Sequence, residues 1–506
     1  MENIIIGKHT LESLTSGMYS DPFVIYREYI QNSADSIDEA IETGLLKLHQ
    51  SKISVDINSS EKRIIISDNG IGINLDSAEH TLINIGNSQK LSNNSRGFRG
   101  IGRLSALSYC SRLTFETSSY TEELGTKVTI NANRLSKLLS ADVKNTISVI
   151  DVLKKIYTVE TFKEERDSHY LKVTIDGIYD SASITDYKNV KSYIEQNCPV
   201  PYSPTDFIWG REIQNRLKIE GLNIQSYNIY LNSGNIKEKI FKPYRDEFYL
   251  NKKKSKKDSI SDIRTLKITQ ENKETLAIGW IAKTNYLGSI YDQSIKGIRL
   301  RKGNILIGDH RTLNAIFKEP RFNGWTIGEL YILDPKLIPN ARRDNFEKNE
   351  AYYLLMEHLM SIASEISNDI RNASLSRNLE LSDALDISQK VVKKVNESYA
   401  YGISRTNKGI LKKEISKVKN SVSNANISDN TGLYYKEIAF EELDMLIGKV
   451  KGSTSFKAIN MLPNLNNAEK KVLERVFNTL LNNCGSESDK IIDILIDEFA
   501  SNEYLQ

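Results

Sequence analysis

Three glycines precede an apolar helical pattern in the segment GNSQKLSNNSRGFRGIGRLSAL, residues 86–107. Gly97, Gly100 and Gly102 let consecutive backbone amides point into one concavity, and the start of the following helix adds a partial positive charge. Phosphate is the ligand that such an arrangement suits. The segment lacks the Walker pattern GxxxxGK[ST], and it does not follow a strand closely as a Rossmann fingerprint does.

A carboxylate ends an apolar strand pattern in the segment IIISDNGIGI, residues 64–73. Asp68 is followed by Gly70 and Gly72, which permit backbone conformations and close ligand approach that a side chain would block. A carboxylate at the end of a buried strand can accept a hydrogen bond from an exocyclic amine, so the pattern is compatible with adenine recognition. Asp-Asn-Gly is also an ordinary hairpin turn, and this segment alone does not decide between the two interpretations.

An acid, an amide and a second acid share one face of the helix predicted for IYREYIQNSADSIDEA, residues 25–40. Glu28, Asn32 and Asp35 are four and three residues apart, beside an apolar stripe that the helix should bury. That stripe consists of Ile25, Tyr29, Ile30, Ala34, Ile37 and Ala40. If this helix stood alone, a surface glutamate and a capping asparagine would explain the pattern.

The elements that must position these residues form an α/β region over residues 1–200. The segment KISVDINSSEKRIIISDNG alternates and then runs apolar around a polar turn, which predicts a β-hairpin. The segments SRLTFETSS and GTKVTINA predict further strands, and helical patterns at 24–43 and 101–109 flank them.

Two more regions follow along the chain. Proline-bearing stretches at 197–204 and 331–346 bracket a second α/β region, 201–346, which contains the strand patterns LAIGWIAK and GIRLRKGNILIGD. Residues 347–506 lose these strand signals, and apolar residues at helical spacing predict a mainly helical region. Within it, residues 412–430 are polar enough for a mobile connection or for a helix that forms with a partner.

The composition indicates a multidomain chain with little charge bias. Its 506 residues, 39% of them hydrophobic, can bury sizeable cores, and the length suggests roughly three domains. The formal net charge of +3 neither demands nor excludes a polyanionic partner. Three widely separated cysteines indicate neither a disulfide framework nor a zinc cluster, and no apolar run approaches the roughly 20 residues that span a bilayer. We therefore expect a cytoplasmic protein with no signal peptide and no membrane segment.

In their order and intervals, the three segments resemble the N, G1 and G2 boxes of the GHKL ATPases, the superfamily of Hsp90, DNA gyrase B, MutL and the histidine kinases. YREYIQNSADSIDEA is most similar to the Hsp90 helix, and SRGFRGIGRLSALSYCSRLTFET is similar to the MutL glycine loop with the helix and strand that follow it. The resemblance covers residues 20–120 and extends more loosely to about 346. It implies a two-layer α/β sandwich of the Bergerat type, with ATP as the ligand, Mg²⁺ as the cofactor and ATP hydrolysis as the activity.

The resemblance also assigns roles to individual residues. Asn32 would supply an oxygen to Mg²⁺, and Glu28, one helical turn away, would face the γ-phosphate and polarise the attacking water. Asp35 would have a supporting role, orienting Asn32 or a water near the nucleotide. Asp68 would bind the adenine amine directly, and Gly72 would assist through a bridging water.

The glycine loop and the strand behind the adenine complete this set, together with Gly70. Main-chain amides of the loop would bind the β- and γ-phosphates, and the loop residues are Gly97, Phe98, Arg99, Gly100, Ile101 and Gly102. Ser88 and Lys90 would contact the nucleotide from a lid, although a solvated lysine explains Lys90 as well. Relatives carry a Gly-Thr pair on a late strand behind the adenine. LGTKVTI offers Thr126 in such a pair, HYLKVTI offers none, and the sequence does not decide which strand closes the pocket.

The segment LIPNARRDNFE, residues 337–347, is similar to a part of the Hsp90 middle domain in which Asn precedes a catalytic Arg. This register selects Arg343 as the residue that neutralises charge at the γ-phosphate, whereas a MutL-like register selects Arg342. A solvated basic turn after two prolines is the alternative. An arginine that must arrive from another domain would make catalysis depend on domain closure.

The leading hypothesis is an Hsp90-like ATPase that acts as an ATP-gated dimeric clamp on a protein client, chaperone-like or in a stress or defence complex. The segment MENIIIGKHTLESL would be exchanged between the protomers of a homodimer or would form a simple edge strand, and residues 347–506 would hold a dimer or partner surface. The alternative is a MutL-like or MORC-like clamp that closes on DNA and works with a nuclease, for which the basic runs at 251–257 and 412–420 would be suitable. A scaffold that binds ATP without hydrolysing it is disfavoured by Glu28. A histidine kinase is disfavoured because no histidine lies in a convincing acceptor helix.

Overall fold

The structure, a computed structural model, describes residues 21–84, 102–140, 148–270, 274–377, 381–401, 405–425, 430–452, 465–483, 491–492 and 494–495. These residues belong to two compact units, Met1–Ser367 and Asn368–Gln506. Within the described ranges, every helix is too short or too polar to cross a membrane.

The helices of the described residues, in chain order, are α1 Val24–Glu42, α2 Leu75–Ile83, α3 Ala132–Leu139, α4 Val149–Ile156, α5 Ser181–Ile184, α6 Tyr187–Asn197, α7 Trp209–Ile219, α8 Glu350–Arg377, α9 Leu381–Tyr401, α10 Arg405–Asn424, α11 Asn430–Gly452 and α12 Asn467–Asn483. The strands are β1 Ile53–Asn58, β2 Arg63–Asp68, β3 Arg112–Ser118, β4 Leu124–Asn131, β5 Tyr157–Lys163, β6 Tyr170–Asp176, β7 Ile229–Ser233, β8 Ile236–Lys239, β9 Glu247–Tyr249, β10 Lys257–Ser259, β11 Asp262–Thr269, β12 Thr275–Lys283, β13 Gly297–Lys302, β14 Ile305–Ile307 and β15 Ile327–Ile332.

An eight-stranded sheet in the order β5-β4-β3-β6-β2-β1-β7-β8 is the first layer among the described residues. β1 and β2 form the predicted hairpin, with Ile53 opposite Asp68, and their side chains alternate between buried and half-buried positions. The pairing of β1 with β7 is parallel, and the other neighbouring strands of this sheet run antiparallel. Through β7 and β8 the sheet continues beyond residue 200.

Helices packed on this sheet supply the second layer. α1 contacts β1 and β2, while α2 and α3 contact β3. Their apolar side chains join those of the strands in one core cluster, in which Ile25, Ile30 and Ile37 are fully buried. The α/β fold expected from the sequence is confirmed, and it sets α1 beside the end of β2.

The segment after the glycine loop differs from the expectation of an α-helix, because Gly102–Ser108 is a 3₁₀ helix. Tyr29 Oη donates to the Arg103 carbonyl at 2.8 Å, which ties the start of this segment to α1. At the other end, Tyr109 N–H closes a three-residue turn on the Ala106 carbonyl at 2.9 Å.

A five-stranded sheet in the order β11-β12-β15-β13-β14 follows in the same unit. LAIGWIAK lies in β12, and GIRLRKGNILIGD contains β13 and β14, which pair as a hairpin. Gly303 and Asn304 turn this hairpin with φ angles of 56° and 62°, and such turns match the twist of the flanking strands.

A cluster of buried charged side chains connects this second sheet to α6. Glu329 accepts hydrogen bonds from Lys242 at 2.7 Å and from Tyr331 at 2.6 Å, and it pairs with Arg301. Burial alone would raise the pKa of Glu329, but the two cations hold that pKa well below its usual range. Burial and the nearby Arg301 lower the pKa of Lys242 to about 7. Arg301 also donates to the Gln196 carbonyl at 2.9 Å, which links the cluster to α6.

The second unit is helical, as predicted. α9, α10 and α11 pack against one another around a core that includes Val395, Ile415 and Leu443. The polar segment 412–430 differs from the expected mobile connection or partner-dependent helix. It lies largely within α10, and its apolar residues at helical spacing, Ile415 and Val422, are buried in the core of this unit.

Candidate active site

Helix α1 carries polar side chains into the interior of the protein. Glu28 is 6% exposed and Asp35 is 9% exposed, and Asn32 between them is half-buried. The predicted apolar stripe is buried as well, so the helix has protein on more than one side. Because burying a carboxylate is costly unless it is paired, the polar face of α1 is a candidate functional site.

Glu28 lies where three segments that are distant in sequence meet. Its Oε1 is 3.2 Å from Nε of the neighbouring Arg27 and 3.6 Å from Nε of Arg343. A Cβ atom built on Gly102 would lie 2.2 Å from Glu28 Oε2, so any larger residue there would displace this carboxylate. The carboxylate is therefore bracketed by the last glycine of the predicted loop and by an arginine that follows the second sheet.

The loop that carries Arg343 is held by its own backbone contacts. Pro339 and Phe346 form a β-bridge across its base. Arg343 has a φ angle of 58°, in the left-handed region that few non-glycine residues adopt, and Gly308 N–H donates to its carbonyl at 2.9 Å. Such a backbone conformation persists when its surroundings enforce it, and this occurs preferentially at functional sites.

Of the two candidate arginines, Arg343 is the one whose guanidinium contacts α1. Its Nη1 donates to Gln31 Oε1, and its Nε lies beside Glu28. Arg342 is exposed, and its carbonyl accepts a hydrogen bond from Arg27 Nη2 at 3.4 Å.

Asp68 ends β2 in a buried position next to α1. Its Oδ1 accepts the Gly70 N–H at 2.9 Å, and its Oδ2 is buried with no hydrogen-bond partner among the described residues. Burial raises the pKa of Asp68 to about 6, although hydrogen bonds from Ser33 and Gly70 act in the opposite direction. Ser33 lies on α1, the helix that also carries the half-buried Asn32.

Packing requires both glycines that follow Asp68. A Cβ atom on Gly70 would lie 2.2 Å from Ser36 Oγ on α1. Gly72 has a φ angle of 72°, and a Cβ atom there would lie 1.8 Å from the Ser118 carbonyl oxygen at the end of β3. These glycines let the loop after β2 press against α1 on one side and against the sheet on the other.

The strand next to Asp68 is β6, and β4 lies further away. Asp68 is opposite Leu171, Leu171 is opposite Thr117, and Thr117 is opposite Thr126. Thr126 is therefore three strands from Asp68, roughly 14 Å at the usual strand spacing. The segment HYLKVTI supplies the adjacent strand, with Leu171 at the position facing Asp68. The buried Thr126 hydroxyl has no hydrogen-bond partner among the described residues.

Most of the predicted glycine loop and lid lies outside the described residues, namely Ser88, Lys90, Gly97, Phe98, Arg99, Gly100 and Ile101. Gly102 is the described member of that set. The N-terminal segment expected to be exchanged also lies outside the described residues.

Two residues beside Glu28 were absent from the sequence analysis. Arg27 pairs with Glu28, and Gln31 accepts from Arg343 while being only 1% exposed. Its spacing could have identified Gln31, because this residue follows Glu28 by three positions and therefore lies on the same side of the helix. No local pattern could have supplied its partner, which lies more than 300 residues further along the chain.

The residues present fit a purine nucleotide with a metal ion. Buried polar atoms are almost always paired, so the unpaired Oδ2 of Asp68 indicates a donor that a ligand supplies, and an exocyclic amine is such a donor. Asn32, half-buried one turn from Glu28, offers the kind of hard oxygen ligand that Mg²⁺ takes.

Comparison with known families identifies the class of this domain. Residues 19–164 match the family described as histidine kinase-, DNA gyrase B-, and HSP90-like ATPase. This range contains α1, the end of β2 and the glycine loop. Residues 19–164 are thus a GHKL-type ATPase domain, and the resemblance seen in the sequence is confirmed.

Among individual proteins, the chain is similar to the chaperone protein HtpG of Buchnera aphidicola subsp. Acyrthosiphon pisum (strain APS). The two sequences are 38% identical over 85 residues, which are 16% of this chain and 13% of the chaperone. The match thus spans a small part of either protein. It agrees with an ATP-binding protein of the ATPase class.

Proposed function

We propose that this protein binds ATP with Mg²⁺ at the polar face of α1, hydrolyses it and uses the reaction to gate a dimeric clamp. The observation that carries the proposal is the convergence on Glu28, where Gly102 and Arg343 approach the same carboxylate. Phosphoryl transfer to water requires two groups. One is a carboxylate that orients the water, and the other is an arginine that stabilises the developing charge.

Each part of the nucleotide has a counterpart among the residues. Asp68 would accept a hydrogen bond from the adenine amine through its unpaired Oδ2, and Asn32 would hold Mg²⁺, which when bound neutralises phosphate charge. Glu28 would align and polarise the attacking water. Arg343 would stabilise the negative charge that develops on the terminal phosphate.

The origin of Arg343 supports gating. The Arg343 carbonyl accepts a hydrogen bond from the N–H group of Gly308, which directly follows β14. The position of Arg343 therefore depends on the position of the second sheet. We therefore assign nucleotide binding to residues 1–200, delivery of Arg343 to residues 201–346, and partner contacts to residues 347–506. Hydrolysis would then depend on how closely the second sheet approaches α1.

Apolar side chains on α11 support a homodimer. The large exposed apolar and aromatic side chains on this helix are Leu433, Tyr434, Tyr435, Ile438 and Met445. We assign them to contact with a second copy of the chain, and light scattering should then give about twice the chain mass of 57.5 kDa.

The similarity to HtpG favours a chaperone-like role with a protein client. The free, buried thiols of Cys110 and Cys198 fit a reducing, cytoplasmic setting.

A basic cleft favours a second candidate function, an ATP-gated clamp on DNA. The cleft measures about 750 Å³ and lies at the start of β3 and the end of β4, away from the end of the sheet that holds Asp68. Its described lining has no acidic side chain, and its cations are Arg112, Arg134, Lys154 and Lys155. Salt-dependent binding of duplex DNA that strengthens with ATP, and weakens in Arg134→Ala, would favour this function. Absence of binding at low salt would exclude it.

The proposed ATPase activity is tested first by Glu28→Ala. We expect ATP binding to remain while hydrolysis falls about 100-fold or more, because the water loses its general base. Calorimetry measures the binding, and phosphate release measures the turnover. Glu39→Ala, an exposed residue on the same helix, is the control and should behave as wild type. Equal turnover in Glu28→Ala would remove this residue from the mechanism.

A second test compares the two neighbouring arginines. Arg343→Ala should leave ATP affinity nearly unchanged and slow turnover by about 100-fold or more, because a stabilising charge is lost from the transition state. Arg342→Ala should turn over normally, since its side chain is exposed. The opposite ranking of the two variants would favour the MutL-like register.

A further inference from the structure

Gln31 is a buried amide at the contact between α1 and the loop of Arg343. It is 1% exposed, and its Oε1 accepts a hydrogen bond from Arg343 Nη1. It follows Glu28 by three residues and therefore lies on the same side of the helix. The guanidinium of Arg343 is thus held at two atoms, with Nε beside Glu28 and Nη1 on Gln31.

The neutrality of Gln31 matters for what Arg343 can do. An amide oxygen fixes the orientation of a guanidinium and leaves its positive charge in place. Arg27, Glu28 and Arg343 together carry a net charge of +1, and a carboxylate at position 31 would cancel the positive charge that attracts a phosphate. A neutral acceptor is therefore the type of side chain that positions this cation and preserves its charge.

The other end of the Gln31 amide is unsatisfied. Nε2 is buried and has no hydrogen-bond partner within the described part of the chain. Buried donors are almost always paired, so this N–H group indicates an acceptor that a ligand brings. Beside Glu28 and Arg343, a phosphate oxygen is an acceptor of suitable chemistry.

We propose that Gln31 is a positioning residue for Arg343. Its carbonyl oxygen holds the guanidinium beside Glu28, and its amide N–H group is the donor for an oxygen of the bound triphosphate. This inference rests on the proposed ATPase activity and adds to it the residue that couples nucleotide binding to the placement of Arg343. The coupling acts within one protomer, between α1 and the 337–347 loop.

The test is a double-mutant cycle on steady-state ATP hydrolysis by the full chain. Gln31→Met keeps the length of the side chain and removes both hydrogen-bonding groups. We expect kcat to fall about 10- to 100-fold, the value of a hydrogen bond to a charged group, with a smaller change in KM. The double variant with Arg343→Ala should have the same kcat as Arg343→Ala alone, because Gln31 affects kcat through Arg343, whereas the change in KM from the lost amide donor should persist. Glu42→Ala, at an exposed site on α1, is the control.

A second variant distinguishes the placement of Arg343 from the effect of charge at position 31. Gln31→Glu keeps an acceptor for Arg343, removes the amide donor and adds a negative charge, so it should raise KM for ATP more than Gln31→Met does. This comparison also tests the proposal if Gln31→Met folds poorly, which circular dichroism melting reports. A merely structural role would lower stability in both variants without this difference in KM.

The outcomes distinguish the inference from the function on which it rests. If the wild type hydrolyses no ATP, the proposed function fails and the role of Gln31 fails with it. If the wild type hydrolyses ATP but Arg343→Ala turns over at the wild-type rate, the ATPase activity stands and the roles of Arg343 and Gln31 are refuted. If Arg343→Ala is slow but Gln31→Met is as fast as wild type, only the positioning role is refuted. Losses in kcat that multiply in the double variant would refute it as well.

Discussion

Replacing Asp68 by Asn should stabilise the protein while it abolishes ATP binding. Burial raises the pKa of Asp68 to about 6, whereas an aspartate in an unfolded chain titrates near 3.9. Between about pH 4 and pH 6 the folded protein therefore holds a proton that the unfolded chain has lost. Stability from this group is highest below that window, falls as the pH rises through it, and stays at the lower level above pH 6.

The size of the effect follows from a shift of roughly two pKa units. At about 1.36 kcal/mol per unit, the ionised and buried Asp68 lowers the free energy of unfolding by about 3 kcal/mol at neutral pH. Asp68→Asn removes the ionisation and keeps an oxygen for the Gly70 N–H. The variant should therefore exceed the wild type by about 3 kcal/mol at pH 7.5 and match it near pH 4.

Urea denaturation across this pH range measures the difference, and calorimetry at pH 7.5 measures ATP affinity. Asp167→Asn changes an exposed turn residue, so this control should follow the wild type at every pH. Parallel pH profiles for Asp68→Asn and the wild type would show that burial does not raise this pKa. Unchanged ATP affinity would refute the assignment of Asp68 to the adenine.

Two further substitutions test other contacts. Gly102→Ala should lower kcat about 10- to 100-fold with ATP affinity retained, because its new methyl group displaces the Glu28 carboxylate. Phosphate-release kinetics check this against Gly448→Ala, where an added Cβ meets nothing within 4 Å, and equal rates would contradict it. Glu329→Gln should lower the free energy of unfolding by about 3–5 kcal/mol, since buried cations lose their partner. Urea denaturation measures this, and a loss no larger than that of the exposed Glu247→Gln would count against the cluster.

The sequence predicted the parts of the fold that depend on local patterns. The alternation around the β1–β2 turn and the apolar stripe of α1 each record how one segment is buried, and the β1–β2 hairpin and the helix formed as predicted. The polar segment 412–430 also contains apolar residues at helical spacing, such as Ile415 and Val422, and these are buried. The candidate site followed from two of these elements, because the end of β2 meets one face of α1.

Non-local contacts account for what the sequence left open. The strands HYLKVTI and LGTKVTI have the same local pattern, and only the pairing order of the sheet puts Leu171 opposite Asp68 and Thr126 further away. The 3₁₀ helix after the glycine loop contacts α1 through a hydrogen bond from Tyr29, a partner that the local sequence pattern does not contain. The contact between Gln31 and Arg343 joins the two ends of the larger unit, which no window of neighbouring residues can report.

The parallel pairing of β1 with β7 has a consequence for synthesis and for shortened versions of the chain. β1 lies between β2 and β7, and β7 becomes available only after the protein has been made as far as Ser233. Until then, one side of β1 is an open strand edge whose backbone groups can pair with another chain. A nucleotide-binding fragment that stops near residue 200 would keep that edge permanently and tend to aggregate. A fragment that ends beyond Lys239 would close it.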